Sequence, residues 1–187
     1  MSEWASAVAF FWPLGVTMKN PLYCLGVLLL VCGVSPYLQE GPSPLSTYAL
    51  RLGPGEEIVS SLFKFVQEKK LIAPFVITCV GSVTKATLRL ANSDALNNNE
   101  IINLKERLEI VSLVGTLNKD AHLHISLSDK DGKTIGGHAI GDLEVFTTAE
   151  IVIGELSNLE FTREMDERTG YPELVIKPRS EGNVSNI

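Results

Sequence analysis

All three histidines of the chain fall within one 17-residue stretch, as His122-Leu123-His124 and then His138. An extended strand sends alternate side chains to opposite faces, so His122 and His124 share one face while Leu123 and Ile125 take the other. Between the two groups, Asp129-Lys130-Asp131-Gly132-Lys133 reads as a hairpin with a three-residue loop, with Gly132 in the left-handed position of a type I turn plus bulge. If Asp129 pairs with Lys133, His124 faces His138 and the three imidazoles converge. A four-residue loop would shift the register and turn His138 to the opposite face. Three convergent neutral imidazoles are a common protein contribution to a zinc site with an open fourth position, and nickel, copper or iron can use the same nitrogens. The competing reading leaves His122 and His124 as polar-face strand residues and His138 as a satisfied histidine beside Gly136 and Gly137.

Other residues offer less chemistry. Asp120, Asp142 and Glu144 flank the histidines and could supply a fourth ligand or a general base, although unpaired acids ordinarily sit in solvated loops. Ser126 shares the histidine face by parity, and an exposed strand serine is its ordinary role. Cys79, within Val76-Ile77-Thr78-Cys79-Val80, reads as a small buried hydrophobe. With Cys24 and Cys32 it makes an odd cysteine count and no C-x-x-C pair, which supports neither a disulfide framework nor a thiolate zinc site. The chain lacks the phosphate-binding patterns G-x-x-x-x-G-K-[ST] and G-x-G-x-x-G and the hydrolase elbow G-x-S-x-G. Gly136, Gly137 and Gly141 instead suit strand distortion or a close backbone approach. Asn183-Val184-Ser185 is a glycosylation sequon that matters only in a secretory lumen.

The elements that must hold these residues begin with a helix over 54–70. Ile58, Val59, Leu62, Phe63 and Val66 repeat at three-and-four spacing, with Glu56 and Glu57 expected in the first turn and Lys69 and Lys70 in the last, an order that suits the helix dipole. After Pro74, short β-branched runs predict strands at 75–82, 86–91, 108–117, 122–128, 134–139, 150–156, 159–165 and 173–177, with a polar loop over 92–99. One helix and mostly short connections predict an α+β domain with a central, largely antiparallel sheet over 49–178, followed by a disordered tail at 179–187.

Residues 1–48 form a separate apolar segment and linker. They contain only Glu3, Lys19 and Glu40 of the four charged types, and Leu22 to Val34 is nearly all apolar. Residues 20–39 are just long enough to cross a bilayer, so a membrane anchor is the favoured reading. A cleaved signal ending at Gly33 and a non-inserting leader are the alternatives. Membrane-associated placement is therefore expected, with a cytoplasmic or secreted protein otherwise. Over the whole chain, 16 Lys and Arg against 22 Asp and Glu give a net charge of −6, which opposes attraction to nucleic acid.

Four segments follow one another in the order of a known family: Arg51-Leu52-Gly53-Pro54-Gly55-Glu56-Glu57-Ile58, Gly81-Ser82-Val83-Thr84-Lys85-Ala86-Thr87-Leu88-Arg89, the run from Arg107 to Thr116, and the span from His122-Leu123-His124 to Gly136-Gly137-His138. The chain from 49 to 178 thereby resembles the plants and prokaryotes conserved (PPC) domain, in its prokaryotic type. The resemblance implies a compact fold around an antiparallel sheet, a homotrimer, and metal ligation by His122, His124 and His138. Plant members join this domain to a basic AT-hook and act as nuclear regulators, but no Arg-Gly-Arg occurs here. Direct DNA binding is accordingly not expected, and a DNA-associated regulator is the most distant alternative. The plant partner-binding motif resembles the region from Arg107 to Leu113, whose alternating apolar residues also suit a buried strand. The leading expectation is a trimeric module that binds a divalent metal, zinc by its ligand set, and presents it to a small ligand or protein partner. A metal-dependent hydrolase or lyase is the enzymatic alternative.

Overall fold

The computed structural model describes residues 42–91 and 100–180. The expectations for the apolar segment, the 92–99 loop, Cys24, Cys32, the Asn183 sequon and nearly all of the tail therefore lie outside the described residues. Among those described, no helix is long and apolar enough to cross a membrane.

Among the described residues, ten strands and one helix follow in the order β1 (Leu45–Leu52), α1 (Ile58–Lys69), β2 (Pro74–Val83), β3 (Ala86–Arg89), β4 (Ile101–Leu104), β5 (Leu108–Thr116), β6 (His122–Ser128), β7 (Thr134–Gly141), β8 (Val145–Leu156), β9 (Leu159–Asp166) and β10 (Tyr171–Pro178). The first eight strands form one sheet in the order β1-β8-β2-β5-β6-β7-β3-β4, and β9 and β10 form a separate two-stranded sheet. Every pairing is antiparallel. The fold is thus mostly antiparallel sheet with one short helix.

Helix α1 starts later than the apolar spacing suggests. Gly55 N–H donates to the Val145 carbonyl and Val145 N–H to the Glu56 carbonyl, each at 2.9 Å, so the residues ahead of the helix give their backbone to the start of β8. Glu57 is the N-cap and no acid stands in the first turn. Its carboxylate accepts from Val59 N–H at 3.2 Å and Ser60 N–H at 2.7 Å, satisfying donors that the helix leaves free. It also accepts from Leu143 N–H at 3.1 Å, which ties the helix to the chain entering β8. Lys70 closes the other end in the left-handed region at φ 53.

The helix buries Ile58, Leu62 and Val66 in one cluster with Val76, Cys79, Leu113, Leu123, Ile125, Ile151 and Ile153 from the sheet. Burial of that apolar stripe is what holds a helix of only 12 residues, which would be marginal alone. The opposite sheet face stays open: Ile77 and Val80 of β2 and Val111 and Val114 of β5 are all exposed.

Two strands depart from the sequence expectation. Residues 39–47 read as a linker around Pro42 and Pro44, yet β1 begins at Leu45 and pairs with β8 from Leu45 opposite Leu156 to Leu52 opposite Ala149. It is an edge strand, where nearby proline and a half-exposed pattern are tolerated. Strand β4 likewise forms only by pairing with β3 at the other edge.

Candidate metal centre

The hairpin between β6 and β7 takes the three-residue loop expected from Asp129 to Lys133. Asp129 N–H donates to the Lys133 carbonyl at 2.9 Å and Gly132 N–H to the Asp129 carbonyl at 3.0 Å. The Asp129 carboxylate accepts from the N–H groups of Asp131 and Lys133, both at 2.9 Å. Those backbone donors hold its carboxyl below the ordinary range. Gly132 supplies the positive φ, 78, that the turn requires and that a β-carbon would oppose.

This turn fixes the ladder. His124 faces His138 and Ser126 faces Gly136. On the other side of β6, β5 sets Val114 opposite His124 and Thr116 opposite His122. Beyond β7, β3 sets Arg89 opposite His138. Gly137 makes that last approach close, because a β-carbon there would lie 2.7 Å from the Arg89 carbonyl oxygen.

The three rings meet. His122 Nε2 lies 3.1 Å from His124 Nε2, within hydrogen-bond reach when one nitrogen carries the proton. Ring centroids are separated by 5.0, 5.1 and 5.6 Å. One nitrogen from each ring lies within 4.8 Å of the others, a group able to hold a metal ion. His122 and His124 are exposed and His138 is half-buried. His138 Nδ1 is buried with no hydrogen-bond partner among the described residues. A ring nitrogen left so is a lone pair or an N–H without its usual compensation.

The electrostatics disfavour protonation of two of these rings. Burial pushes the His138 imidazole down to about 4, assisted by Arg89, the other two histidines and Arg163. Burial also lowers His122, with Arg163, His124 and Arg89 acting in the same sense and Glu173 opposing. Neutral imidazole is the form that can ligate a metal, whereas a protonated one cannot.

Beside the rings lies a cleft of about 310 Å³ whose walls include Arg89, His122, His138, Arg163, Tyr171 and Glu173. Arg163, on β9, donates through Nε to the Asp120 carbonyl at 3.0 Å, through Nη2 to Thr116 Oγ1 at 3.0 Å and through Nη1 to the Pro172 carbonyl at 3.2 Å. It thus clamps the β9–β10 hairpin against the sheet next to His122.

The other sequence candidates separate from this centre. Asp142, left-handed at φ 55, accepts from Thr87 Oγ1 at 2.7 Å. Glu144 accepts from Lys85 Nζ at 2.6 Å and Thr84 Oγ1 at 2.9 Å. The hydrogen bond from Lys85, then that from Thr84, holds the Glu144 carboxyl low, so this acid is engaged in an ion pair away from the rings. Only Asp120 reaches the cleft wall. Ser126 sits on the histidine face, beyond His124 from His122, opposite Gly136 and Ser112. Cys79 is buried and its thiol is pushed up to about 12 by desolvation, which makes it inert packing. The region from Arg107 to Leu113 is a half-buried strand: Leu108, Ile110 and Leu113 point to the core, and the Arg107 guanidinium lies 4.3 Å from the Phe146 ring centroid.

Sequence reasoning missed Arg163, Tyr171 and Glu173 altogether, and it noted Arg89 only as part of a family motif. Their place in the cleft depends on the β3–β7 pairing and on the β9–β10 hairpin, and no local spacing marks either.

The Plants and Prokaryotes Conserved (PCC) domain matches residues 39–157 of the chain. A bifunctional protein GlmU of Synechococcus sp. (strain JA-3-3Ab) is 42% identical over 146 residues, which is 75% of this chain and 23% of that protein. The chain spans about a quarter of the length of such curated relatives. Among solved structures, a hypothetical protein of Salmonella enterica is 40% identical with a TM-score of 0.71, covering 76% of this chain and 100% of its own. A metal-containing protein of Archaeoglobus fulgidus is 28% identical with a TM-score of 0.65, over 74% of this chain and 99% of its own.

Proposed function

The chain belongs to the Plants and Prokaryotes Conserved domain family, and from that premise we propose that it is a homotrimeric module holding one divalent metal ion through His122, His124 and His138 and presenting it to a small ligand or protein partner. The observation that carries this reading is the meeting of three ring nitrogens within 4.8 Å. Nitrogens bound to one tetrahedral zinc ion at about 2.0–2.1 Å stand roughly 3.4 Å from one another. The 3.1 Å between His122 and His124 is already near that span, and His138 has an orphaned buried nitrogen that ligation or a proton rearrangement would employ. The donor set fits a borderline ion such as zinc, with the fourth position left to a ligand. The metal-containing description of the Archaeoglobus fulgidus relative is consistent with it.

Self-association is supported by the open sheet face. Val80 of β2 and Val111 and Val114 of β5, which pairs with the strand that bears His122 and His124, expose 50%, 55% and 43% of their surface. An apolar patch on the face that α1 leaves bare is the kind of surface another copy covers. Metal content of the purified chain, measured beside a His124→Ala variant, tests the metal reading. About one equivalent per chain in the first and a marked loss in the second are expected. No metal in reconstituted wild type would defeat it.

A further inference from the structure

Among the described residues, neither of the two arginines that line the cleft next to the rings, Arg89 and Arg163, is in a salt bridge with a carboxylate. All three hydrogen bonds of Arg163 end on neutral oxygens: the carbonyls of Asp120 and Pro172 and the hydroxyl of Thr116. Arg89 joins no ion pair among the described residues. Asp120 and Glu173 also line the cleft, but neither forms an ion pair with either arginine there. The cleft wall therefore brings Arg89 and Arg163 together with Tyr171, His122 and His138 around one small space, with Asp120 and Glu173 in the same wall but not paired to either guanidinium.

A partly buried guanidinium gives up hydration, and the group that restores its hydrogen bonds best is a planar or tetrahedral oxyanion matching its fork of donors. At about 310 Å³ the cleft is at the small end of ligand sites, which suits a molecule of a few heavy atoms. We infer that this cleft is an oxyanion site, in which Arg89 and Arg163 hold a small carboxylate or phosphate beside the ion that the histidines would bind. The inference rests on the metal reading for its setting and names the ligand class of the same centre. Arg163 also serves as a clamp, so Arg89 is the residue that reports on the anion without loosening the β9–β10 hairpin.

The test is calorimetric titration of the metal-loaded chain with inorganic phosphate and, separately, with acetate, at fixed ionic strength. Wild type, Arg89→Met and Arg89→Lys are compared, with metal content and far-ultraviolet circular dichroism confirming equal loading and folding. Binding of at least one anion is expected, weakened about tenfold or more in Arg89→Met and partly recovered in Arg89→Lys, which keeps the charge but loses the fork. Preference for phosphate or acetate identifies which oxyacid the site serves. Binding that is equal in Arg89→Met and wild type, or absent for both anions up to ~10 mM, overturns the inference. Repeating the titration on chelator-stripped protein separates the two ideas. Arg89-dependent anion binding by a chain that never loads metal would leave the oxyanion site standing and remove the metal reading. A fully loaded chain that ignores both anions would do the reverse.

Discussion

Replacing Gly137 by alanine should damage both the fold and the cleft, and the damage can be sized from the backbone. The added β-carbon would lie 2.7 Å from the Arg89 carbonyl oxygen and 3.5 Å from Leu88 Cβ. An ordinary contact of that kind is no closer than about 3.4 Å, so β3 must retreat by several tenths of an ångström or β7 must bend. The obstacle is backbone, which cannot rotate aside like a side-chain tip. Overpacking of this sort costs about 1–3 kcal/mol. For a domain of this size that is a fall in Tm of roughly 4–12 °C. Because Arg89 rides on β3 opposite His138, anion binding in the cleft should weaken along with stability. Gly132 provides the control. It has positive φ, 78, but a β-carbon added there would meet nothing within 4 Å, so Gly132→Asn, which tolerates the left-handed region better than other residues with a β-carbon, should cost at most about 1 kcal/mol, from backbone strain alone. Thermal melts followed by circular dichroism measure both. A Gly137→Ala protein as stable as Gly132→Asn would refute the claim that strand proximity at Gly137 sets the position of Arg89.

Other outcomes follow from the same structure. Glu155 is buried and accepts from the N–H groups of Ile72 and Ala73, both at 3.1 Å, so Glu155→Ala should lose about 2–5 kcal/mol in denaturant titration by stranding two donors. Burial raises its carboxyl above the ordinary 4.5, against the pull of the two N–H groups and Arg179. A folded-state value above the unfolded one contributes stability below 4.5 that is lost as pH rises through the raised value, so wild type should lose ground to Glu155→Gln across that window; a flat difference would show that burial does not dominate. Sedimentation equilibrium should give a species of three chains, shifted to smaller ones by Val111→Glu on the open face, and a monomeric wild type would contradict the trimer. Carbonate extraction of the expressed full chain should leave it with the membrane through residues 20–39, and complete release would end the anchor reading.

What the sequence disclosed was local. The facing of His124 and His138 follows from one loop whose length and glycine position determine the register, and the bonds between Asp129 and Lys133 are the ones that loop demands. The stripe of Ile58, Leu62 and Val66 likewise marks the helix face without outside help. What it concealed was non-local. Strand β1 exists because β8, about a hundred residues later, offers it an edge, and Pro42 and Pro44 mask its start. Glu144 is near the histidines in sequence, yet Lys85 and Thr84 draw its carboxylate elsewhere. Arg163 reaches the cleft only because the β9–β10 hairpin packs beside Thr116 and Asp120. The ligand candidates were thus legible, while the charged wall around them required the fold.

X-ray absorption at the zinc edge of the zinc-loaded chain tests the central claim most directly, since it reads the atoms around the ion. A first sphere of three imidazole nitrogens at about 2.0–2.1 Å with one further light atom is predicted, falling to two imidazoles in His124→Ala. Sulfur in the first sphere, or a wild-type spectrum unchanged by that substitution, would place the ion elsewhere and contradict the account.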